Sequence, residues 1–385
     1  MALHPDMSGR PPRKTPLADK IVRLIETGGP LSVSDYFHIC LSDPQHGYYM
    51  TREPFGASGD FITAPEVTQL FGEMIAIFLL GGWQAAGMPR PVRLVELGPG
   101  RGTLMKDMLR TIRKVLGADM AGWSAHLVET SPRLRAIQAE TLRDYADRCS
   151  WHERLEDVPK GHMLLAANEL FDALPIRQFV KSGSAFREKV IGLDLAGELT
   201  FGIGPAVIEA SALPHDWESQ PEGTVFEASP IREAFMAALA TKLRAQGGLA
   251  AVIDYGHRVA GFGDTLQAMR NHAFDDPLAH PGEADLTSHV DFASLSAAAQ
   301  ASGAHVLGLT CQSDFLLGLG LLDRAGRLGA DKDRETQKAI EVAVDRIAGT
   351  GPGRMGELFK VLAISGQPMD FAPFARFGEP AAKGR

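Results

Sequence analysis

The stretch Val92–Leu104, VRLVELGPGRGTL, constrains this chain more than any other. An apolar run reaches Glu96, glycines follow at alternate positions (Gly98, Gly100, Gly102), and a helical pattern opens at Thr103. Glycines at that density do not help a packed core. They suit a backbone that must turn sharply or come close to a ligand. Between a strand and a helix, such a turn presents backbone N–H groups and a helix N-terminus, which favour an anion or a carboxylate.

The flanking sequence repeats the strand–helix alternation. TLMKDMLRTIRKVLG reads as a helix stopped at Gly117, SAHLVET as a strand, and SPRLRAIQAETLRDYA as a helix with a Ser-Pro start. CSWHERL, HMLLAANELFDALP, LAAVIDYG, AHVLGLTCQ and GELFKVLAIS read as further strands. VFEASPIREAFMAALATKLRAQGG and DFASLSAAAQASG read as helices. This order predicts an α/β fold: a Rossmann-like, mostly parallel sheet with helices on both faces. Ahead of it, Leu17–Cys40 predicts two helices split by Gly-Gly-Pro, and a long amphipathic helix is expected from about Val67 to Ala86. The expected organisation is an N-terminal helical region with a lid loop (1–90), a core (91–366) and a tail (367–385). Insertions are expected near 185–225 (a hairpin), 257–290 (polar and loop-like from Phe262 to His289) and 313–350 (helical).

Composition narrows the function. Among 385 residues, 45% are hydrophobic, enough for a sizeable core, and the formal net charge of −8 argues against a nucleic-acid partner. No apolar run approaches the roughly 18 residues of a membrane span. The three cysteines form no CxxC, and the histidines show no HxxxH or HExxH spacing, so no metal site is expected and a reducing compartment fits. The N-terminus has Arg and Lys but no apolar core of a secretory signal. A basic tail is expected there, with a poor transit peptide as the alternative.

Two cofactor classes compete for the glycine turn. A nicotinamide or flavin site wants GxGxxG. Here the third glycine falls one position early, position 103 is Thr, and Glu96 precedes the first glycine by two. E-x-G-x-G-x-G is the pattern of class I S-adenosylmethionine-dependent methyltransferases. The next strand ends in Glu129, and a carboxylate there can accept both ribose hydroxyl hydrogens. Glu96, Gly98, Gly100, Gly102 and Glu129 are therefore the expected cofactor contacts, with S-adenosyl-L-methionine as cofactor.

Longer stretches carry a resemblance. SDPQHGYYMTREPFGASGDFITAPEVTQLFGE, VELGPGRGTL, ANELFDALPIRQF, VIDYGH, DLTSHVDF and MGELFKVLAI together resemble the MidA-type proteins, over roughly Leu17 to Gly366. That family includes the mitochondrial complex I assembly factor that is a protein arginine methyltransferase. The resemblance implies a class I methyltransferase core with extra N-terminal helices and insertions. It also implies a protein substrate, with symmetric dimethylarginine formed on a complex I subunit. The location it implies is cytoplasmic for a bacterial chain, or the mitochondrial matrix for a eukaryotic one.

For such chemistry the enzyme must grip a guanidinium that stays protonated, align one nitrogen and exclude water. Carboxylates do this bidentately. AANELFDALP closes the fourth core strand, so Asn168, Glu169 and Asp172 are the catalytic candidates. Asn168 would orient the nucleophile through its amide oxygen, and Glu169 or Asp172 would pair with the guanidinium. The plain alternatives are a loop acid at Glu169 and a turn cap at Asp172. In GDFITAPE, which also holds Glu66, Asp60 is expected to meet the cofactor amino group and Phe61 to cover it, unless the segment is a structural turn. His289 is a substrate-contact candidate or a structural histidine. Two other functions stay open: methylation of a different nucleophile, and an assembly chaperone that binds cofactor without turnover.

Overall fold

The computed structural model describes residues 15–51, 63–117 and 120–374. Contacts group the chain into two compact units. One comprises Met1–Phe61, Asp172–Arg232 and Ala260–His289; the other comprises Ile62–Phe171, Glu233–Val259 and Val290–Arg385.

The larger unit is built on a seven-membered run of strands, β1 (Val92–Leu97), β2 (Trp123–Val128), β3 (Cys149–His152), β4 (His162–Asn168), β5 (Gly248–His257), β6 (His305–Cys311) and β7 (Phe359–Ser365). Their spatial order is β3-β2-β1-β4-β5-β7-β6, and the two-residue strand Val290–Asp291 adds to β5. Strands β1 to β5 pair in parallel, while β7 runs antiparallel to both β5 and β6. Every residue of β4 and the first eight of β5 are buried, as expected of strands covered on both faces. The order reverses between β1 and β4, so the ligand crevice falls beyond the carboxyl ends of these two strands.

Helices α1 (Gln69–Ala85), α2 (Thr103–Leu116) and α3 (Pro132–Thr141) belong to this unit. The α2 residues Leu104, Met105, Met108, Leu109 and Ile112 recur at helical spacing and are buried. Helix α3 has the expected Ser-Pro start: Ser131 Oγ accepts the Leu134 N–H, and Pro132 takes the first helical position. The helix expected from Val67 begins instead at Gln69. Thr68 is extended at φ −162° and caps it, and a separate short helix covers Ala64–Val67. The expected insertion at 313–350 is three helices, Gln312–Gly318, Leu321–Gly329 and Arg334–Ala348.

The smaller unit gathers segments that are far apart in sequence. Helices Pro16–Gly28 and Val33–Ser42 accompany an antiparallel sheet of Leu31–Ser32, Ala185–Leu193, Arg177–Ser182 and Val225–Ala228, with Leu199–Val207 paired to Ala185–Leu193. The expected hairpin is thus present, and the chain before it and after it supplies its neighbours. Leu17, Ile21, Tyr36, Phe37, Ile191 and Leu286 share one core. Two readings need correction. Val225–Ala228 is a strand, not the start of a helix, because the helix begins at Pro230. Residues 262–289, expected as loop, hold a three-stranded sheet of Ala273–Asp275, Gln267–Arg270 and Asp285–Thr287. Leu266, Ala268, Ala284 and Leu286 are buried while Phe274, in the middle of one strand, is exposed, so the apolar positions neither alternate cleanly nor cluster enough to announce strands. Contacts group α1 with α2 in the larger unit, and Asp172–Arg232 and Ala260–His289 with helices Pro16–Gly28 and Val33–Ser42 in the smaller one.

Candidate cofactor site and active centre

The three glycines of the turn have φ of 62°, 53° and 81° at Gly98, Gly100 and Gly102, a region that L side chains enter at a cost. The Gly102 N–H closes the turn on the Pro99 carbonyl at 2.7 Å, and the Gly98 N–H reaches the Val128 carbonyl at 3.1 Å. A Cβ at Gly98 would lie 3.1 Å from Leu170 Cδ1. The β1 turn and the segment after β4 therefore meet here.

Glu96 sits under this turn, 3% exposed. Burial pushes its carboxyl well above the usual carboxylate range, opposed by the Met105 backbone N–H that it accepts and reinforced by the charge of Glu129. Met105 is the third residue of α2, so Glu96 caps that helix from below. Its Oε2 is buried without a hydrogen-bond donor among the described residues. Glu66 holds the same helix from another side, accepting from the Thr103 hydroxyl.

Glu129, just past β2, is 8% exposed. Its Oε1 accepts the Ser131 N–H at 2.8 Å and its Oε2 accepts Gln138 Nε2 at 3.1 Å. Burial raises its pKa, while those donors, the Thr130 N–H and Arg135 pull it back. A carboxylate has about four acceptor directions, and the Ser131, Gln138 and Thr130 donors take three of them, leaving one for a ribose hydroxyl. Gln138 Nε2 also donates to the Gly100 carbonyl at 2.9 Å, and Gln138 Oε1 accepts from Trp151 Nε1 at 2.9 Å.

At the tip of β4, Asn168 Nδ2 donates to Glu169 Oε1 at 2.9 Å, and Asn168 Oδ1 is buried without a donor among the described residues. Glu169 has a φ of 51°, unusual for a residue with a side chain, and its N–H binds the Ile253 carbonyl at 2.9 Å. The next turn is fastened by Asp254, which is fully buried. Asp254 Oδ2 accepts the Phe171 N–H and Oδ1 the Tyr255 N–H, each at 2.9 Å.

Of the expected site residues, Glu96, Gly98, Gly100, Gly102, Glu129, Asn168 and Glu169 all lie at the carboxyl ends of β1, β2 and β4. Asp60 and Phe61 lie outside the described residues. Asp172 and His289 belong to the smaller unit. There Arg232 Nη2 donates to the Asp172 carbonyl at 3.0 Å and Arg232 Nη1 to the His289 carbonyl at 2.7 Å. The His289 N–H donates to Thr265 Oγ1 at 2.9 Å, so its backbone has a structural task. Among the described residues, no group of three His, Cys, Asp or Glu could hold a metal ion, and no helix is long and apolar enough to cross a membrane.

Sequence reading missed Gln138 and Asp254. Gln138 stands between Leu134 and Leu142 on one buried helical stripe, and Asp254 interrupts an otherwise apolar buried strand. A polar residue in such a position was the available signal.

The fold, the glycine turn and the acid after β2 define a class I methyltransferase. Known proteins agree. Residues 74–310 match the family described as "Putative S-adenosyl-L-methionine-dependent methyltransferase". The chain is 37% identical to the Drosophila melanogaster protein arginine methyltransferase NDUFAF7 homolog, mitochondrial, over 90% of this chain and 84% of that protein. It is 34% identical to the human mitochondrial protein arginine methyltransferase NDUFAF7, over 93% of this chain and 86% of that protein. A solved Burkholderia thailandensis protein bound to S-adenosyl-homocysteine is 29% identical, with a TM-score of 0.79 over 93% of this chain and 94% of that one. This chain belongs to that S-adenosylmethionine-dependent methyltransferase family, and S-adenosylmethionine is its cofactor. The residues present fit that group: a turn of positive-φ glycines, one acceptor direction left on Glu129, and a buried acceptor on Glu96.

Proposed function

We propose that this methyltransferase acts on arginine side chains of a protein. The observation that carries the reading is the Asn168–Glu169 pair: a carboxylate locked beside a buried amide oxygen that has no donor among the described residues. A guanidinium is planar, cationic and has five N–H donors, so it satisfies both groups at once. The names of the relatives support the same substrate class.

The bound cofactor supplies a methyl group on a sulfonium. Glu96 and the glycine turn would hold its amino-acid end, and Glu129 its ribose. Glu169 would fix the guanidinium and Asn168 Oδ1 would orient the attacking nitrogen. Transfer would exchange the methyl's bond to sulfur for one to nitrogen, leave S-adenosylhomocysteine, and release one guanidinium N–H proton, which the Glu169 carboxylate is placed to accept. Asp172 stays a candidate by its place in the chain, three residues after Glu169, and Asp172→Asn tests it separately. Asp60 and Phe61 remain candidates for the cofactor's amino group and cover.

We assign the substrate to the subunits of respiratory complex I and the product to symmetric dimethylarginine, on the family resemblance. The relatives' names support a mitochondrial location for a eukaryotic chain; the cytoplasm is the bacterial counterpart. The test is transfer of radiolabelled methyl from S-adenosylmethionine into complex I subunits, followed by acid hydrolysis and separation of the methylated amino acids. Label in symmetric dimethylarginine is expected. Label in methyl-lysine or only in small molecules overturns the arginine reading, and cofactor binding with no transfer favours a chaperone.

A further inference from the structure

We infer that Gln138 is the positioning residue that sets the ribose-binding carboxylate against the glycine turn, so that it governs cofactor affinity without touching the cofactor. The inference rests on Glu129 being the ribose acceptor. Gln138 is fully buried on α3 and bonds to the ends of three neighbouring strands. Its Nε2 donates to the Gly100 carbonyl of the β1 turn at 2.9 Å and to Glu129 Oε2 beyond β2 at 3.1 Å. Its Oε1 accepts the indole N–H of Trp151, in β3, at 2.9 Å.

Only an amide serves there. Two of the partners are pure acceptors and the third is a pure donor, so the partners themselves fix which way the amide points. Glutamate at 138 would set a second carboxylate against Glu129 and against a carbonyl. A shorter amide on the same helix would not span to both. Contact with Gly102 adds to the placement: a Cβ at Gly102 would lie 3.5 Å from Gln138 Cα, so α3 and the turn are already in register.

Two consequences follow. One Glu129 oxygen is held by Gln138 and the other by the Ser131 N–H, so the acceptor direction left on the carboxylate is set before a ligand arrives. A side chain fixed in advance spends less ordering entropy on binding. Gly100, the middle glycine, is tied to the same nitrogen, so the turn and the ribose acid are placed by one side chain.

The test compares S-adenosylhomocysteine with its 2′,3′-dideoxyribose analogue by calorimetric titration, using wild type, Glu129→Ala and Gln138→Leu. Wild type is expected to prefer the dihydroxy ligand by at least about 30-fold, the worth of charge-assisted bonds to a carboxylate. Glu129→Ala should abolish that preference. Gln138→Leu should cut it to below about 5-fold while the affinity for the dideoxy analogue changes little. A merely structural Gln138 would lower both affinities alike, or lower only the thermal midpoint, and that result overturns the inference. If Glu129→Ala loses the preference and Gln138→Leu keeps it, the inference fails while the ribose reading stands. If Glu129→Ala keeps it, both fail. Should Gln138→Leu not fold, Trp151→Phe is read in its place. It frees Gln138 Oε1 and is expected to reduce the preference partway, and an unchanged preference overturns the inference.

Discussion

Asn168 Nδ2 lies 2.9 Å from Glu169 Oε1, so a neutral amide holds a carboxylate whose own backbone is in the left-handed region at φ 51°. Holding a side chain there costs on the order of 1 kcal/mol, and such costs concentrate at functional sites. Glycine relieves that cost and alanine does not. Glu169→Gly is therefore expected to be more stable than Glu169→Ala by about 1 kcal/mol in urea denaturation, with both inactive. Glu169→Gln keeps the volume and the φ. It is expected to bind cofactor normally and to lose at least ~10²-fold in turnover. Wild-type turnover in Glu169→Gln would remove the tip of β4 from the active centre.

The middle glycine of the turn gives a second expectation. Gly100 has a φ of 53° and offers its carbonyl to Gln138. Valine there combines a strained backbone with a β-branched side chain at the turn proposed to meet the cofactor. Gly100→Val is expected to lower stability by about 1–2 kcal/mol and to abolish S-adenosylmethionine binding. Gly100→Ala should show much of the stability loss and only part of the binding loss. A folded Gly100→Val protein that titrates with wild-type affinity contradicts the placement of the cofactor.

Much of the core was legible because its signals are local. Strand β1, its glycines and α2 are continuous in sequence, and β4 and β5 are apolar runs that each end near a turn. The acids at the strand tips, Glu96, Glu129 and Glu169, could be named for the same reason. Glu96 could not be read as a helix cap, because its partner, the Met105 N–H, is fixed only by the fold of the turn. The smaller unit was not legible as a unit. Its sheet pairs Leu31 with Ile191 and Arg177 with Ala228, and no periodicity records pairings across such distances. The sheet in 262–289 was hidden by its three short strands, two of them three residues long, where alternation has too few positions to register.

Arg232 carries a third expectation, confined to the smaller unit. It is 3% exposed, and its guanidinium donates to the carbonyls of Asp172, Leu174 and His289 and to Ser288 Oγ at distances of 2.6–3.1 Å. Removing it leaves several buried acceptors without this donor, each worth about 1–3 kcal/mol, partly recovered by relaxation. Arg232→Met is expected to cost about 3–5 kcal/mol. Arg232→Lys should recover only a fraction, because one ammonium cannot reproduce the planar fork. The measurement is urea denaturation of the full chain, and a loss below about 1 kcal/mol in Arg232→Met would show that the bonds are redundant.

The last expectation concerns pH. On one face of the sheet, Arg93 Nη1 donates to Ser124 Oγ at 2.7 Å, and Ser124 Oγ lies 2.8 Å from His126 Nε2. His126 Nδ1 in turn lies 2.9 Å from His152 Nε2. Burial, followed by the charges of His152, Arg93 and Lys242, lowers the His126 pKa from 6.5 to about 4. His152 is shifted down too, by burial first, with Asp157 opposing and Lys242 and Arg135 adding to it. A histidine whose folded pKa lies below its unfolded value takes up a proton more readily in the unfolded chain. Its contribution is neutral above pH about 6.5 and becomes destabilising as pH falls from there towards about 4. The size is on the order of 2–3 kcal/mol. Denaturation at pH 7.5, 6.0 and 4.5 is expected to show stability falling over this window. His126→Gln, though less stable at pH 7.5, should lose distinctly less between 7.5 and 4.5. Equal losses in the two proteins would place the acid sensitivity in other groups, the carboxylates first among them.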